Sequence, residues 1–487
     1  MRIFIDEEKY EYELKNIAVL FDRQAFLFDT DLSTAPPDRS SNEDHIVIRS
    51  DGTNVNSFGK IGGKEIFHQE KALLYEKNLK NAYKRCLYHI LSDFYKKDLD
   101  WGILTGIRPT KMYHEVYKKF SDKEAAIKHF MECSLASDKK TGILHQVNQV
   151  EQKILREIDP NDYSIYVSLP FCPTKCNYCT FFSNEITKKA HLIEPYLKTL
   201  SLELRSVLQN EWVKKRNITS LYIGGGTPSS LDHTDLKSFL QILSDSIDFS
   251  KVREITFEAG RPDTIDPEKL KLIHGFGIDR ISINPQTMID DTLKKIGRMH
   301  SSEEIIKAFY DAREAGFQNI NMDIIIGLEN EQLSDLEYTL NTILEMDPDS
   351  ITVHSLALKK ASDLSKTISE DQRIDRSRIV SDMMEYVYER LEKDYFPYYL
   401  YRQKNILGGQ ENVGFSKTGK ESLYNIMIIE EYQNILSFGP GGVSRFVYPS
   451  ENRIERISNT KNLEEYIRNI DLYIGKKREE MSYANNP

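Results

Sequence analysis

Cysteine is scarce in this chain, with five among 487 residues. An odd, sparse set without secretory context speaks against a disulfide framework. No run of eighteen apolar residues occurs, so no membrane-crossing helix is expected. Low-complexity tracts and internal repeats are missing too, which leaves ordinary globular domains. The opening MRIFIDEEKYEYELK is too acidic and interrupted for a signal peptide, and a cytoplasmic location is the expectation. Basic charge is not in excess: 65 Lys and Arg face 75 Asp and Glu, for a net charge of -10. Proteins that grip nucleic acid cluster cations against phosphates. Here the cations are dispersed among carboxylates, and nucleic acid is not an expected partner.

A chain of this length exceeds one small core, and two or three domains are expected. From Tyr163 onward, short β-branched runs alternate with helical patterns. Strands are predicted at 163–169, 219–225, 253–259, 279–285, 319–326 and 350–358. Amphipathic helices such as HLIEPYLKTLSLELRSVL and LSDLEYTLNTILEM lie between them. This alternation implies right-handed βαβ units and a parallel sheet covered by helices. The predicted class is α/β, an open partial (β/α)6 barrel over residues 160–359, with its site at the carboxyl ends of the strands. Residues 1–150 read as an N-terminal α+β domain. Residues 360–487 read as a smaller C-terminal α+β domain at the barrel's edge. Its predicted parts are a helix at 371–394, the strands YFPYYLYRQ and YNIMII, a turn at FGPGGVS and a terminal helix.

Three of the five cysteines fall within eight residues, in LPFCPTKCNYCTFF: Cys172, Cys176 and Cys179. Pro173 and the polar residues Thr174, Lys175 and Asn177 favour a loop that curls these thiolates together directly after a strand. A structural zinc site wants four ligands, commonly two CxxC-type pairs. The fourth would have to be Cys86, Cys133 or a distant histidine, and no second pair exists. A redox pair needs only Cys176 and Cys179 and leaves Cys172 unexplained. Three ligands on a [4Fe–4S] cluster, with one iron open, fit the count better. Cys86 and Cys133 stand alone in helical stretches and read as buried small side chains.

The Cys-x3-Cys-x2-Cys spacing resembles that of the radical S-adenosylmethionine (SAM) superfamily. That resemblance implies one [4Fe–4S] cluster held by the three cysteines, with SAM chelating the open iron. Electron transfer from the cluster would then break a C–S bond and generate a hydrogen-abstracting 5′-deoxyadenosyl radical, while the protein binds, orients and excludes water. The glycine run Gly224, Gly225, Gly226 permits a close backbone approach. Beside the cysteine loop it resembles the element that meets the SAM amino group, which implicates Gly225, Gly226 and Thr227.

Polar residues also fall on successive βα units: Glu258, Gln286 and, a helix later, Arg298, then Asp323. A polar residue in a buried-looking strand is either satisfied structurally or functional. Four on one rim favour a site. IYVSLPFCPTKCNYC, GGGTP, EAGRPD, INPQ with IGRMH, and MDIIIGL together resemble the oxygen-independent coproporphyrinogen III oxidases. LTGIRPTKMYH and YYLYRQKN resemble their HemZ-type branch, which carries an extra N-terminal domain. The resemblance implies that Tyr166 packs against SAM, that Tyr178 lies beside the cluster, and that Gly225, Glu258, Gln286, Arg298, Asp323 and Ala357 contact SAM. Two departures stand out. The characterised oxidases show a histidine where this chain has Ser168, and a further cysteine where it has Phe181.

The implied reaction is oxidative decarboxylation of coproporphyrinogen III to protoporphyrinogen IX, with a tetrapyrrole as substrate and an unidentified electron donor and acceptor. Arg261, Arg402, Gln403 and Lys404 are candidate partners for propionates, and the YYLYRQ strand is a candidate wall, with core packing as its plainer role. A haem-binding chaperone on the same fold is the alternative. A tRNA or peptide modifier is disfavoured by the acidic balance and by the lack of cysteines for an auxiliary cluster.

Overall fold

The computed structural model describes residues 1–22, 26–30, 43–71, 78–106, 108–120, 122–357, 370–403 and 406–484. The chain divides into two compact units, Met1–Asn148 and Gln149–Pro487. Among the described residues no helix is long and apolar enough to cross a membrane.

In the first unit, β1 (Arg2–Ile5), β2 (Leu27–Asp29), β3 (His45–Ser50), β4 (Asn54–Ile61) and β5 (Lys64–Lys71) form one sheet in the order β2-β1-β3-β4-β5. Strand β4 alternates half-exposed and buried residues, the period-two signature of a sheet with one covered face. Helices Glu11–Phe21 and Asn78–Tyr95 supply the cover, and Ile17, Tyr83, Leu87 and Ile90 join Ile3, Val55 and Ile61 in the core.

The second unit holds β6 (Tyr163–Leu169), β7 (Phe171–Cys172), β8 (Asn184–Glu185), β9 (Ile218–Gly225), β10 (Glu254–Gly260), β11 (Arg280–Ile283), β12 (Asn319–Ile326) and β13 (Ser350–Ser355). It continues with β14 (Phe396–Tyr401), β15 (Asn412–Ser416), β16 (Asn434–Phe438), β17 (Val443–Tyr448) and β18 (Arg453–Ser458). Strands β6 and β9 to β13 pair in parallel in chain order. Helices Ile193–Leu208, His233–Ser246, Pro267–Gly275, Ser302–Glu314 and Leu333–Met346 are the crossovers. The six predicted strands are therefore all present, and the fold is α/β, with a parallel six-stranded run at its centre. Strands β7 and β8 pair with each other as a separate two-stranded sheet.

Among the described residues the C-terminal segment builds no sheet of its own. Strands β15 and β14 extend the sheet antiparallel beyond β13, while β16 pairs in parallel with β6, followed by β17 and β18. The second unit thus takes in both stretches that the sequence reading separated at residue 360. One predicted strand is a helix: YNIMII lies within Leu423–Glu430. Its apolar run carries no period to decide the matter, and its N-terminus is fixed from outside. Buried Glu254 accepts hydrogen bonds from Ser422 Oγ (3.0 Å), Leu423 N (3.0 Å) and Tyr424 N (3.3 Å). A carboxylate there satisfies orphan amides and complements the helix dipole.

Candidate active site

The cysteine loop begins where β6 ends. Gly226 N donates to the Leu169 carbonyl (2.8 Å) and Thr227 N to the Phe171 carbonyl (2.7 Å), so the glycine run after β9 is laced to the segment carrying Cys172. A side chain at Gly226 would overlap the Phe171 carbonyl and stand 3.0 Å from Cys172 Sγ. Gly225 adopts φ +109°, a region that favours glycine. Thr227 Oγ1 lies 3.5 Å from Cys172 Sγ. Across the loop, Asn177 N donates to the Ile296 carbonyl (3.2 Å) and Asn177 Nδ2 to the Lys295 carbonyl (2.7 Å). The Cys179 amide donates to the Cys176 carbonyl (3.1 Å), closing the turn.

Cys176 is buried, and Cys172 and Cys179 are half-buried. Burial raises the Cys172 and Cys179 thiols above their ordinary range. A structural zinc site takes four protein ligands, whereas an iron–sulfur cluster accepts one thiolate on each iron, so three thiols carried on one loop suit an iron–sulfur cluster.

Two buried arginines brace this loop. Arg261 Nη1 donates to Thr174 Oγ1 (2.7 Å) and lies 4.0 Å from Cys176 Sγ. Its other nitrogens grip Asp263 at 3.0 and 2.6 Å. Burial by itself would raise the Asp263 carboxyl, but His300 and Arg261 hold it well below the usual range. Arg298 donates to Tyr178 Oη through Nε (3.2 Å) and Nη2 (3.0 Å), and through Nη1 to the carbonyls of Asn284 (2.6 Å) and Gly260 (3.2 Å).

Further along the sheet a row emerges. Within each of five largely buried strands one interior residue stays half-exposed: Tyr166 on β6, Tyr222 on β9, Glu258 on β10, Asp323 on β12 and His354 on β13. Tyr222 Oη donates to Glu258 Oε1 (2.5 Å), and His354 Nε2 stands 3.7 Å from Asp323 Oδ2. Tyr166 stacks on Tyr222 and Tyr424 with ring centroids 6.1 and 6.0 Å apart, and Tyr222 on Tyr424 at 4.5 Å. Burial lifts the Glu258 carboxyl to about 7, with the Asp323 charge adding to it against the Tyr222 hydrogen bond. Burial also pushes Asp323 upward, but His354 and Asn321 outweigh it and the carboxyl sits low.

Gln286 has φ +68°, and its backbone exchanges hydrogen bonds with the Asp323 carbonyl and the Ile325 amide, both at 2.9 Å. Ala357 forms an isolated antiparallel bridge with Ile406. Arg402 is buried and donates to the Gly409 carbonyl (2.6 Å), and Gln403 reaches Tyr401 Oη at 3.4 Å. Lys404 lies outside the described residues. Tyr398 and Tyr399 pack in an apolar core with Ile426 and Met427, the plainer role foreseen for that strand. Cys86 is fully buried as expected, while Cys133 is only half-buried. The sequence reading passed over Tyr222, His354 and Tyr424. His354 in SITVHS carries the same signal as Asp323, a polar residue in a largely buried strand.

The sequence profile described as the radical SAM superfamily matches residues 166–343. An oxygen-independent coproporphyrinogen-III oxidase-like protein, HemZ of Bacillus subtilis, is 35% identical over 97% of this chain and 96% of its own length. The heme chaperone HemW of the same organism is 31% identical over 57% of this chain and 69% of its own. Among solved structures, the radical SAM enzyme coproporphyrinogen III oxidase (HemN) from Escherichia coli superposes with a TM-score of 0.50 at 20% identity, covering 66% of this chain and 72% of that one.

Proposed function

Because the chain belongs to the radical SAM superfamily and, within it, to the HemZ-like oxygen-independent coproporphyrinogen III oxidase family, we propose that it oxidatively decarboxylates coproporphyrinogen III to protoporphyrinogen IX. The family implies a [4Fe–4S] cluster and SAM. When bound, the reduced cluster and SAM would supply a radical able to take a hydrogen atom from the β-carbon of each of two propionates, each of which would then lose carbon dioxide and pass one electron to an external acceptor to leave a vinyl group. We assign Cys172, Cys176 and Cys179 as the cluster ligands.

The chain's own residues bind and orient. Gly226 and Thr227 spend their amides on the cysteine segment, which keeps a side-chain-free strip of backbone beside Cys172 for the SAM amino acid moiety. Glu258 and Asp323 are the carboxylates of the row, suited to ribose hydroxyls or to an amino group. The Tyr166–Tyr222–Tyr424 stack provides a flat apolar wall for an adenine or a tetrapyrrole. Gln286, with its strained backbone, and Ala357 complete the proposed SAM contacts. Arg298 and Tyr178 exclude water beside the cluster.

The observation that carries this reading is the half-exposed row from Tyr166 to His354, on the sheet whose strand β6 leads into the three-cysteine loop. A second reading, haem handling without decarboxylation, draws support from the two departures. Ser168 Oγ is committed to the Pro440 carbonyl (2.8 Å), and Phe181 is 73% exposed. Anaerobic incubation with SAM, a reductant and coproporphyrinogen III, followed by chromatography, separates the two. Protoporphyrin is the expected product. SAM cleavage without protoporphyrin, together with stoichiometric haem binding, would replace the first reading by the second.

A further inference from the structure

We propose that His68, Glu70 and His89 of the first unit form a binding site for a divalent transition-metal ion, with zinc as the best-fitting ion. Among the described residues this is the group of three ligating side chains whose ligand atoms all lie within 4.8 Å of one another. The inference is independent of the function proposed above.

The site follows from the secondary structure. His68 and Glu70 are two apart on β5 and therefore share one face of the strand. His89 comes from helix Asn78–Tyr95, which packs on that sheet. Both imidazoles turn the same atom toward one carboxylate oxygen: His68 Nε2 is 2.9 Å and His89 Nε2 3.7 Å from Glu70 Oε1. The two rings stand with centroids 4.0 Å apart at 34°. Nitrogen and oxygen ligands of a tetrahedral zinc, at about 2.0–2.2 Å, are about 3.4 Å from one another. Small side-chain shifts would bring these three atoms to that spacing.

The plainer account is an ion pair, since Arg85 Nε lies 3.1 Å from the same Glu70 oxygen. That pair explains the buried carboxylate but not two imidazoles from different elements converging on it. Arg85 also donates to the Glu132 carbonyl, which fixes the guanidinium as an orienting partner for Glu70. Its positive charge sets the affinity below that of an otherwise equal site. The His68 and His89 side chains are each 29% exposed against 8% for Glu70, so a fourth position faces solvent and suits a water ligand.

The test is zinc and cobalt binding by the full chain, whose cysteines bind these ions as well. Wild-type protein should take up one more equivalent of zinc than the His68→Ala/His89→Ala double variant. Cobalt-loaded wild type should show a visible d–d band, free of sulfur charge transfer, that the double variant lacks. Circular dichroism checks that the variant is folded. If it is not, Glu70→Gln decides the matter, since it keeps shape and hydrogen bonding but removes the anionic ligand, and it should weaken this equivalent by about tenfold or more. Equal zinc uptake by wild type and a folded double variant, or unchanged affinity in Glu70→Gln, would overturn the assignment.

Discussion

The Tyr222 hydroxyl donates to Glu258 Oε1 at 2.5 Å, joining two adjacent strands at the level where the buried sheet opens. Burial lifts this carboxyl from its ordinary 4.5 to about 7. The folded protein therefore holds a proton that the unfolded chain gives up more readily. The stabilisation from this group is full below about pH 4.5 and is lost as pH rises through about 7. Asp323, held low, stays ionised across that window. Thermal unfolding of the cluster-free protein should show a falling Tm over this range, and Glu258→Gln should flatten it. An equally steep fall in the variant would assign the titration to another group.

Replacing any one of Cys172, Cys176 or Cys179 by Ala should abolish the iron–sulfur absorbance after anaerobic reconstitution and, with it, SAM cleavage. Cys86→Ala should retain both. Cys86 Sγ donates to the Val55 carbonyl (3.3 Å) inside the first unit, so its loss should cost about 1 kcal/mol of stability. An intact cluster in Cys176→Ala would count against the ligand assignment.

Gly226→Ala places a methyl group over the Phe171 carbonyl and against Cys172 Sγ. Neither neighbour can yield without moving the ligand segment, because the Leu169 and Phe171 carbonyls are tied into backbone hydrogen bonds from the Gly226 and Thr227 amides. Iron content after reconstitution should fall by more than half, on the order of the loss from a cost of about 1 kcal/mol or more. Gly275→Ala, with open space around its added Cβ, is the control and should keep full iron content.

Glu254→Gln should destabilise the second unit by about 2 kcal/mol, read from urea unfolding, because a charged acceptor of three hydrogen bonds is replaced by a neutral one. Helix Leu423–Glu430 carries Tyr424, so SAM binding should weaken in the same variant if the tyrosine stack belongs to the site. Unchanged stability would mean that apolar packing, not Glu254, holds this helix.

The six parallel strands were legible because strands buried on both faces need near-continuous apolar runs, and NINMDIII and YSIYVSL provide them. Within such runs a charged residue is conspicuous, which is how Asp323 and Glu258 stood out. YNIMII misled for the same reason: an apolar run with no polar period suits either element, and the choice rests with Glu254, distant in sequence. Strand β16 was hidden as well, since its parallel partner β6 lies far back in the chain and no local pattern encodes that pairing.

The sequence motifs, through the family they resemble, determined the class of the chemistry: three cysteines in one bend, a glycine run after the next strand, polar residues on successive βα units. Local pattern suffices there because each feature depends on residues close together in the chain. Which side chains meet was settled only by the tertiary structure. Tyr166 reaches Tyr424, Arg298 reaches Tyr178, and His89 reaches Glu70 through packing between elements, and burial of a hydrogen-bonding group is satisfied by whatever partner the fold delivers.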